Sequence, residues 1–163
     1  MKLNKQMEQL FYQHSLDPYA AYPPYTAYPI WAKTDPSGRP YWGTGSFWGV
    51  DRQPIPPDAN LSYLEWDGNE VHLSADRAGD TGALLLQMMG ILAGWQKEMT
   101  EKYPTTPFYI LASYDDGKGM ADAEEGIPSV TMRFWADRSD PTVAEVEHLE
   151  RYAQPVLVVH CGQ

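Results

Sequence analysis

Apolar residues recur at Leu3, Met7, Leu10 and Phe11, with His14 continuing the row, a spacing that lines one face of a helix over residues 2–14. Asp17-Pro18 ends the pattern, because the residue before a proline is pushed out of the α region. The periodicity then changes to three. In YAAYPPYTAYP the tyrosines stand at 19, 22, 25 and 28, one turn apart on a polyproline II helix, so the segment reads as a Tyr/Pro-rich strap with one aromatic stripe. Thr34-Asp35-Pro36-Ser37-Gly38 has the chemistry of a turn. It leads into an alternating stretch, residues 41–48, that predicts a strand whose glycines mark a bulge or a close approach.

A proline-rich loop over residues 53–57 precedes LSYLEW and EVHLS, and the Asp67-Gly68-Asn69 step between them predicts a β-hairpin. Asp80 is placed to cap a long helix from about Thr81 to Lys102, apolar nearly all round in its first half and stopped at Tyr103-Pro104. Strands are expected over residues 108–114 and 130–135, with an acidic loop between them. A helix opens at Asp140-Pro141 with Val143, Val146, Leu149 and Ala153 on its apolar face, and residues 155–161 close the chain as an apolar strand. The expected fold is α+β, with a mixed or antiparallel sheet in ferredoxin-like βαββαβ order from about residue 70. A helix, the strap and one to three extra strands precede it. That order would put the most apolar strands, 108–114 and 155–161, at the sheet edges, where central character is not needed.

All of this fits one domain over residues 1–163, with residues 1–60 as an N-terminal layer on a core of residues 61–163. Composition changes the picture in two respects. Aromatics make up 13% of the chain, with six Trp and eleven Tyr, enough to supply both core and a partly wet surface. The net charge is −10, with no Lys/Arg cluster, which excludes a phosphate-backbone footprint and argues against an anionic membrane surface. The same acidity suits a basic protein partner as well as plain solubility. A single cysteine, no apolar leader and no bilayer-length apolar run make a cytoplasmic location the expectation.

Candidate chemistry is sparse. Asp115, Asp116, Asp122, Glu124 and Glu125 cluster around a loop, but Gly117 and Gly119 fill alternate ligand positions, so the cluster reads as solvated rather than as a cation site. His160 and Cys161 are adjacent on a strand and therefore point to opposite faces, so Cys161 reads as structural. His14, His72, His148 and His160 have no metal-ligand spacing, and the 75–82 strand-to-helix junction lacks a phosphate-binding glycine pattern. Acids near the Trp-rich segment (Asp51, Glu65, Asp67) resemble a sugar site only weakly.

The reading is therefore a non-catalytic binding module, in one version an acidic inhibitor or immunity-type protein, without cofactor or metal, as monomer or homodimer. Its contacts would be Tyr22, Tyr25, Trp42, Trp48 and Arg52. The rival is a small enzyme or ligand-binding domain whose pocket, between sheet and N-terminal layer, is lined by Trp42, Trp48, His72, Arg133 and an acid such as Asp51, taking a small molecule. A third reading makes the aromatics simply core.

Overall fold

The computed structural model describes residues 1–45, 55–118, 126–138 and 144–162. A two-residue strand β1 (Lys2–Leu3) leads into helix α1 (Lys5–Gln13). Asn4 caps α1, its Oδ1 accepting from the Met7 N–H at 3.0 Å, and the expected stripe of Met7, Leu10 and Phe11 is buried. The same buried side chain accepts from Val156 N–H at 3.0 Å and donates to the Gln154 carbonyl at 2.8 Å, tying the two ends of the chain together.

The strap leads into strand β2 (Ile30–Thr34), for which the sequence carries no signal of its own and which pairs antiparallel with β3 (Pro40–Thr44). Asp35 builds the turn between them. Its Oδ1 accepts from the Ser37 and Arg39 N–H groups, and its Oδ2 takes the Arg39 Nε–H at 2.7 Å. The second half of the expected 41–48 strand lies outside the described residues.

LSYLEW does not form the first arm of a hairpin. It is helix α2 (Leu61–Gly68), capped by Asn60, whose side chain accepts from Tyr63 N–H at 3.0 Å. The Asp67-Gly68 step falls in the last turn of this helix, and Asn69 N–H bonds back to the Glu65 carbonyl at 2.8 Å. A helix places Glu65 and Asn69 on one face, one turn apart, and both are needed inside. Strand β4 (Val71–Ser74), a short helix α3 (Ala75–Ala78) and the long helix α4 (Thr81–Lys102) come next. Asp80 caps α4 as expected, accepting from Ala83 N–H at 2.8 Å. Strands β5 (Phe108–Asp115), β6 (Ser129–Ala136) and β7 (Val156–Cys161) match their predicted positions.

The helix expected from Asp140 is a second correction. Asp140, Pro141 and Val143 lie outside the described residues, and residues 144–152 contain only a 3-10 turn at Leu149–Arg151. Val146 and Leu149 are buried as expected, against Leu111, Trp135, Val156 and Val158. Side chains meet backbone groups that a helix would pair internally: Asn4 donates to the Leu149 carbonyl, and the Tyr152 hydroxyl accepts from Glu145 N–H.

The main sheet has the order β1-β7-β5-β6-β4, with every neighbouring pair antiparallel. This is α+β, but not the ferredoxin-like order, which would have placed β5 and β7 at the edges. Here β5 is central and β7 is covered by β1, so the most apolar strands sit inside. The two faces differ. Phe108, Ile110, Ala112, Val130, Met132, Phe134, Leu157 and Val159 meet Leu84, Leu85, Met88 and Trp95 of α4 in the main core. The opposite face carries Tyr109, Leu111, Arg133, Trp135 and His160, partly covered by residues 144–152.

Among the described residues, no helix is long and apolar enough to cross a membrane.

Candidate binding groove

The strap owes its position to two glycines of α4. Gly90 accepts the Tyr25 N–H on its carbonyl at 2.8 Å, and a Cβ on Gly94 would stand 2.2 Å from the Tyr25 oxygen. Four residues apart, these glycines lie on one side of the helix; the seat needs bare backbone at Gly94, whereas a Cβ on Gly90 would meet its nearest atoms at 3.4 Å, an ordinary contact. The strap is fixed further along by the Trp95 indole, which donates to the Tyr28 carbonyl at 2.9 Å.

Anchored in this way, the four tyrosines do not form a single stripe. Tyr22 and Tyr28 are half-buried against the core, whereas Tyr19 and Tyr25 are 67% and 47% exposed. Tyr22 donates its hydroxyl proton to the Asp17 carbonyl at 2.7 Å. Burial and the neighbouring Asp17 charge raise its phenol above the ordinary value.

Between the strap and α4 runs a groove of about 530 Å³. Pro18, Tyr19 and Tyr22 contribute its strap side, and Met89, Leu92 and Ala93 contribute apolar surface from the helix. Its charged groups are Lys97 and Glu101, which pair with each other at 4.0 Å while remaining largely solvated. The groove offers aromatic and apolar contact with a polar rim, and no nucleophile poised beside a base.

Of the expected contacts, Tyr22 lines this groove and Tyr25 stands exposed on the same strap. Trp42 does not belong to any exposed face. It is 7% exposed, packed edge-on against Phe108 at 5.3 Å and Tyr103 at 6.0 Å, because β3 turns its inner face to the core. Trp48 and Arg52 lie outside the described residues, as do Asp51, Asp122, Glu124 and Glu125. Tyr19, not singled out from sequence, is the more exposed of the two projecting rings, and only its position in the tyrosine series signalled it.

The pocket expected between sheet and N-terminal layer is not assembled from Trp42, His72 and Arg133. His72 and Arg133 occupy the opposite face of the sheet from Trp42, His72 lying 3.4 Å from the Thr131 hydroxyl. Arg133 stacks 4.1 Å from the Trp66 ring and pairs with Glu70. A smaller cavity of about 240 Å³ opens on that face beside Trp66, Ser113, Thr131, Arg133 and Tyr152. Nearby, Tyr109 stacks on His160 at 4.4 Å, and His160 Nε2 lies 3.3 Å from Asp137 Oδ2. Burial and the Asp137 and Glu147 charges raise the Tyr109 phenol. Cys161 faces the core, and desolvation pushes its thiol up to about 11, which leaves it protonated and poorly nucleophilic.

The most connected polar group is Glu65, which the sequence offers only as an acid near the Trp-rich segment, with no sign of its buried role. Glu65 is fully buried, and its two oxygens accept from Trp42 N–H at 2.9 Å, Ala136 N–H at 2.7 Å and both terminal nitrogens of Arg138. Desolvation raises its carboxyl above the ordinary value, although the Arg138 charge and these donors work against it. Asn69, also buried, accepts from Thr44 N–H and donates to the Trp42 and Phe134 carbonyls. Together they clasp β3 to β6 through α2, a structural role. Among the described residues, no group of three or more His, Cys, Asp and Glu side chains converges as a metal-ligand set.

Comparison with protein-family models, curated proteins and solved structures finds no match for this chain.

Proposed function

We propose that this protein is a non-catalytic binding module that engages a protein partner through the strap and the groove beside α4. One observation carries the reading: exposed tyrosines project from a segment whose backbone is already fixed, by Gly90, Gly94 and Trp95, against the longest helix. Tyrosine gives large amphipathic contact for two side-chain torsions, and a fixed backbone leaves little further ordering to be lost on binding. Tyr19, Tyr22 and Tyr25 are the contacts, with Trp48 and Arg52 extending the face. The chain's net charge of −10 favours a basic partner, in the manner of an acidic inhibitor or immunity-type protein. One buried, protonated cysteine agrees with a reducing, cytoplasmic setting.

The ligand-binding alternative belongs to the cavity of about 240 Å³ on the other sheet face, which Ser113, Thr131 and Arg133 line. Native mass spectrometry of the freshly purified chain, compared with its denatured mass, separates the two. A bare protein mass is expected. Extra mass that leaves on denaturation would overturn the interaction reading in favour of that cavity. With a partner in hand, the Tyr19→Ser/Tyr25→Ser double variant is expected to lose binding by ten-fold or more, and unchanged affinity would remove the groove from the interface.

A further inference from the structure

The β2–β3 hairpin has two outer edges, and they are treated differently. On β3, Trp42 turns its N–H to Glu65 at 2.9 Å and its carbonyl to Asn69 at 3.0 Å, and Thr44 turns its N–H to Asn69 at 3.0 Å. The α2 clasp therefore closes that edge. In an antiparallel ladder, residues standing opposite one another both direct their backbone groups into the ladder or both direct them away. Ala32 stands opposite Trp42, and Ile30 opposite Thr44, so Ile30, Ala32 and Thr34 direct theirs out of the hairpin. The Ile30 carbonyl is met by the Tyr103 hydroxyl at 3.5 Å. Ala32 and Thr34 are exposed residues, and their outward N–H and C=O groups form a short strand edge that no other strand pairs among the described residues.

We propose that this edge pairs with the same edge of a second copy of the chain, antiparallel and two-fold symmetric about Ala32. In that register Trp31 of one copy stands opposite Lys33 of the other, and Ile30 opposite Thr34. The Trp–Lys match is a favourable cross-strand pair, and the two side chains share a face on which Lys33 Nζ already lies 4.7 Å from its own Trp31 ring. Lys33 is the one ionisable side chain of β2, so the strand brings none of the chain's acidic excess to the seam. An isologous contact of this kind closes at two copies and does not propagate. It uses different residues from the strap groove and stands or falls independently of it.

Symmetry fixes the test. Opposed Cα atoms in a hydrogen-bonded antiparallel pair are about 5.5 Å apart, within disulfide reach, so Ala32→Cys is expected to give a covalent dimer under mild oxidation. Thr34→Cys, equally exposed, would place its thiols roughly 14 Å apart, four residues out of register, and is expected to cross-link at least ten-fold more slowly. Wild-type protein serves as the blank, since Cys161 is buried. Sedimentation equilibrium of the wild type is expected to show a mass rising towards twice that of the chain with concentration. Equal cross-linking of both variants, no cross-linking of a folded Ala32→Cys protein, or a single-chain mass at millimolar concentration would each overturn the proposal.

Discussion

Glu65 is the side chain on which the most structure depends. Removing it would leave two buried N–H groups without their acceptor and the Arg138 guanidinium without its carboxylate, with the Ser62 hydroxyl and the Pro40 and Ala136 carbonyls still accepting from it. Glu65→Ala is therefore expected to cost about 3–5 kcal/mol, measured by urea unfolding, because breaking one partner of a buried pair strands the other. Asp35 gives a pH signature. Desolvation pushes its carboxyl up, but the Arg39 N–H and guanidinium and the Ser37 N–H outweigh this and hold it below the ordinary carboxyl value. A lowered folded value means that its stabilisation is present above the unfolded pKa and is lost as pH falls through the folded one. Thermal midpoints scanned from neutral to acid should fall less steeply for Asp35→Asn than for the wild type. Cys161, with its thiol near 11, should resist a thiol reagent in the native protein and react fully in denaturant. Rapid native labelling would show that the C-terminal strand opens.

At the scale of elements, the α4 glycines make opposite predictions from the same helix. A Cβ on Gly94 would meet the Tyr25 oxygen at 2.2 Å, so Gly94→Ala must displace the strap, at a cost of about 1–3 kcal/mol. On Gly90 the nearest atoms would be 3.4 Å away, ordinary contact, so Gly90→Ala is expected to be neutral or stabilising by up to ~1 kcal/mol through helix propensity. Denaturant melts of the two variants check both signs. Equal effects would mean that the strap is not seated by its backbone. If the strap presents the binding tyrosines, Gly94→Ala should also weaken partner binding while Gly90→Ala leaves it unchanged.

Across the whole molecule, two faces of one sheet have separate roles. The α1/α4 face is a continuous core that carries the strap on its outer side, whereas the opposite face is partly covered by a segment with little regular structure. The clasp of α2 joins the hairpin to the main sheet by hydrogen bonds between side chain and backbone rather than by strand pairing. Loss of Glu65 or Asn69 should therefore loosen residues 30–44 before the main sheet. Hydrogen exchange on Asn69→Ala is expected to show faster exchange at Thr44, whose N–H then has no acceptor, with β5 unaffected. Uniform exchange across both sheets would mean that the hairpin and main sheet unfold as one unit.

Several features were decided locally and could be read from the chain. The Met7, Leu10, Phe11 stripe, the Asp80 cap, the stop at Tyr103-Pro104 and the apolar runs of β5, β6 and β7 depend on short-range periodicity and capping. Tertiary structure decided the remainder. LSYLEW became a helix despite its Asp67-Gly68 step, because a helix brings Glu65 and Asn69 within one turn of each other, close enough to satisfy β3 and β6 together. Residues 144–152 gave up a helical pattern where side chains take up their backbone groups: Asn4, 145 residues away in sequence, donates to the Leu149 carbonyl, and the Tyr152 hydroxyl accepts the Glu145 N–H. Strand order also required long-range pairing, although the apolar character of β5 and β7 already argued against leaving them at an edge. The groove was half legible: the tyrosine spacing named its residues, but which rings project depends on the Gly90–Gly94 seat. Local sequence fixes what a segment can be; where its backbone groups and buried charges find partners fixes what it becomes.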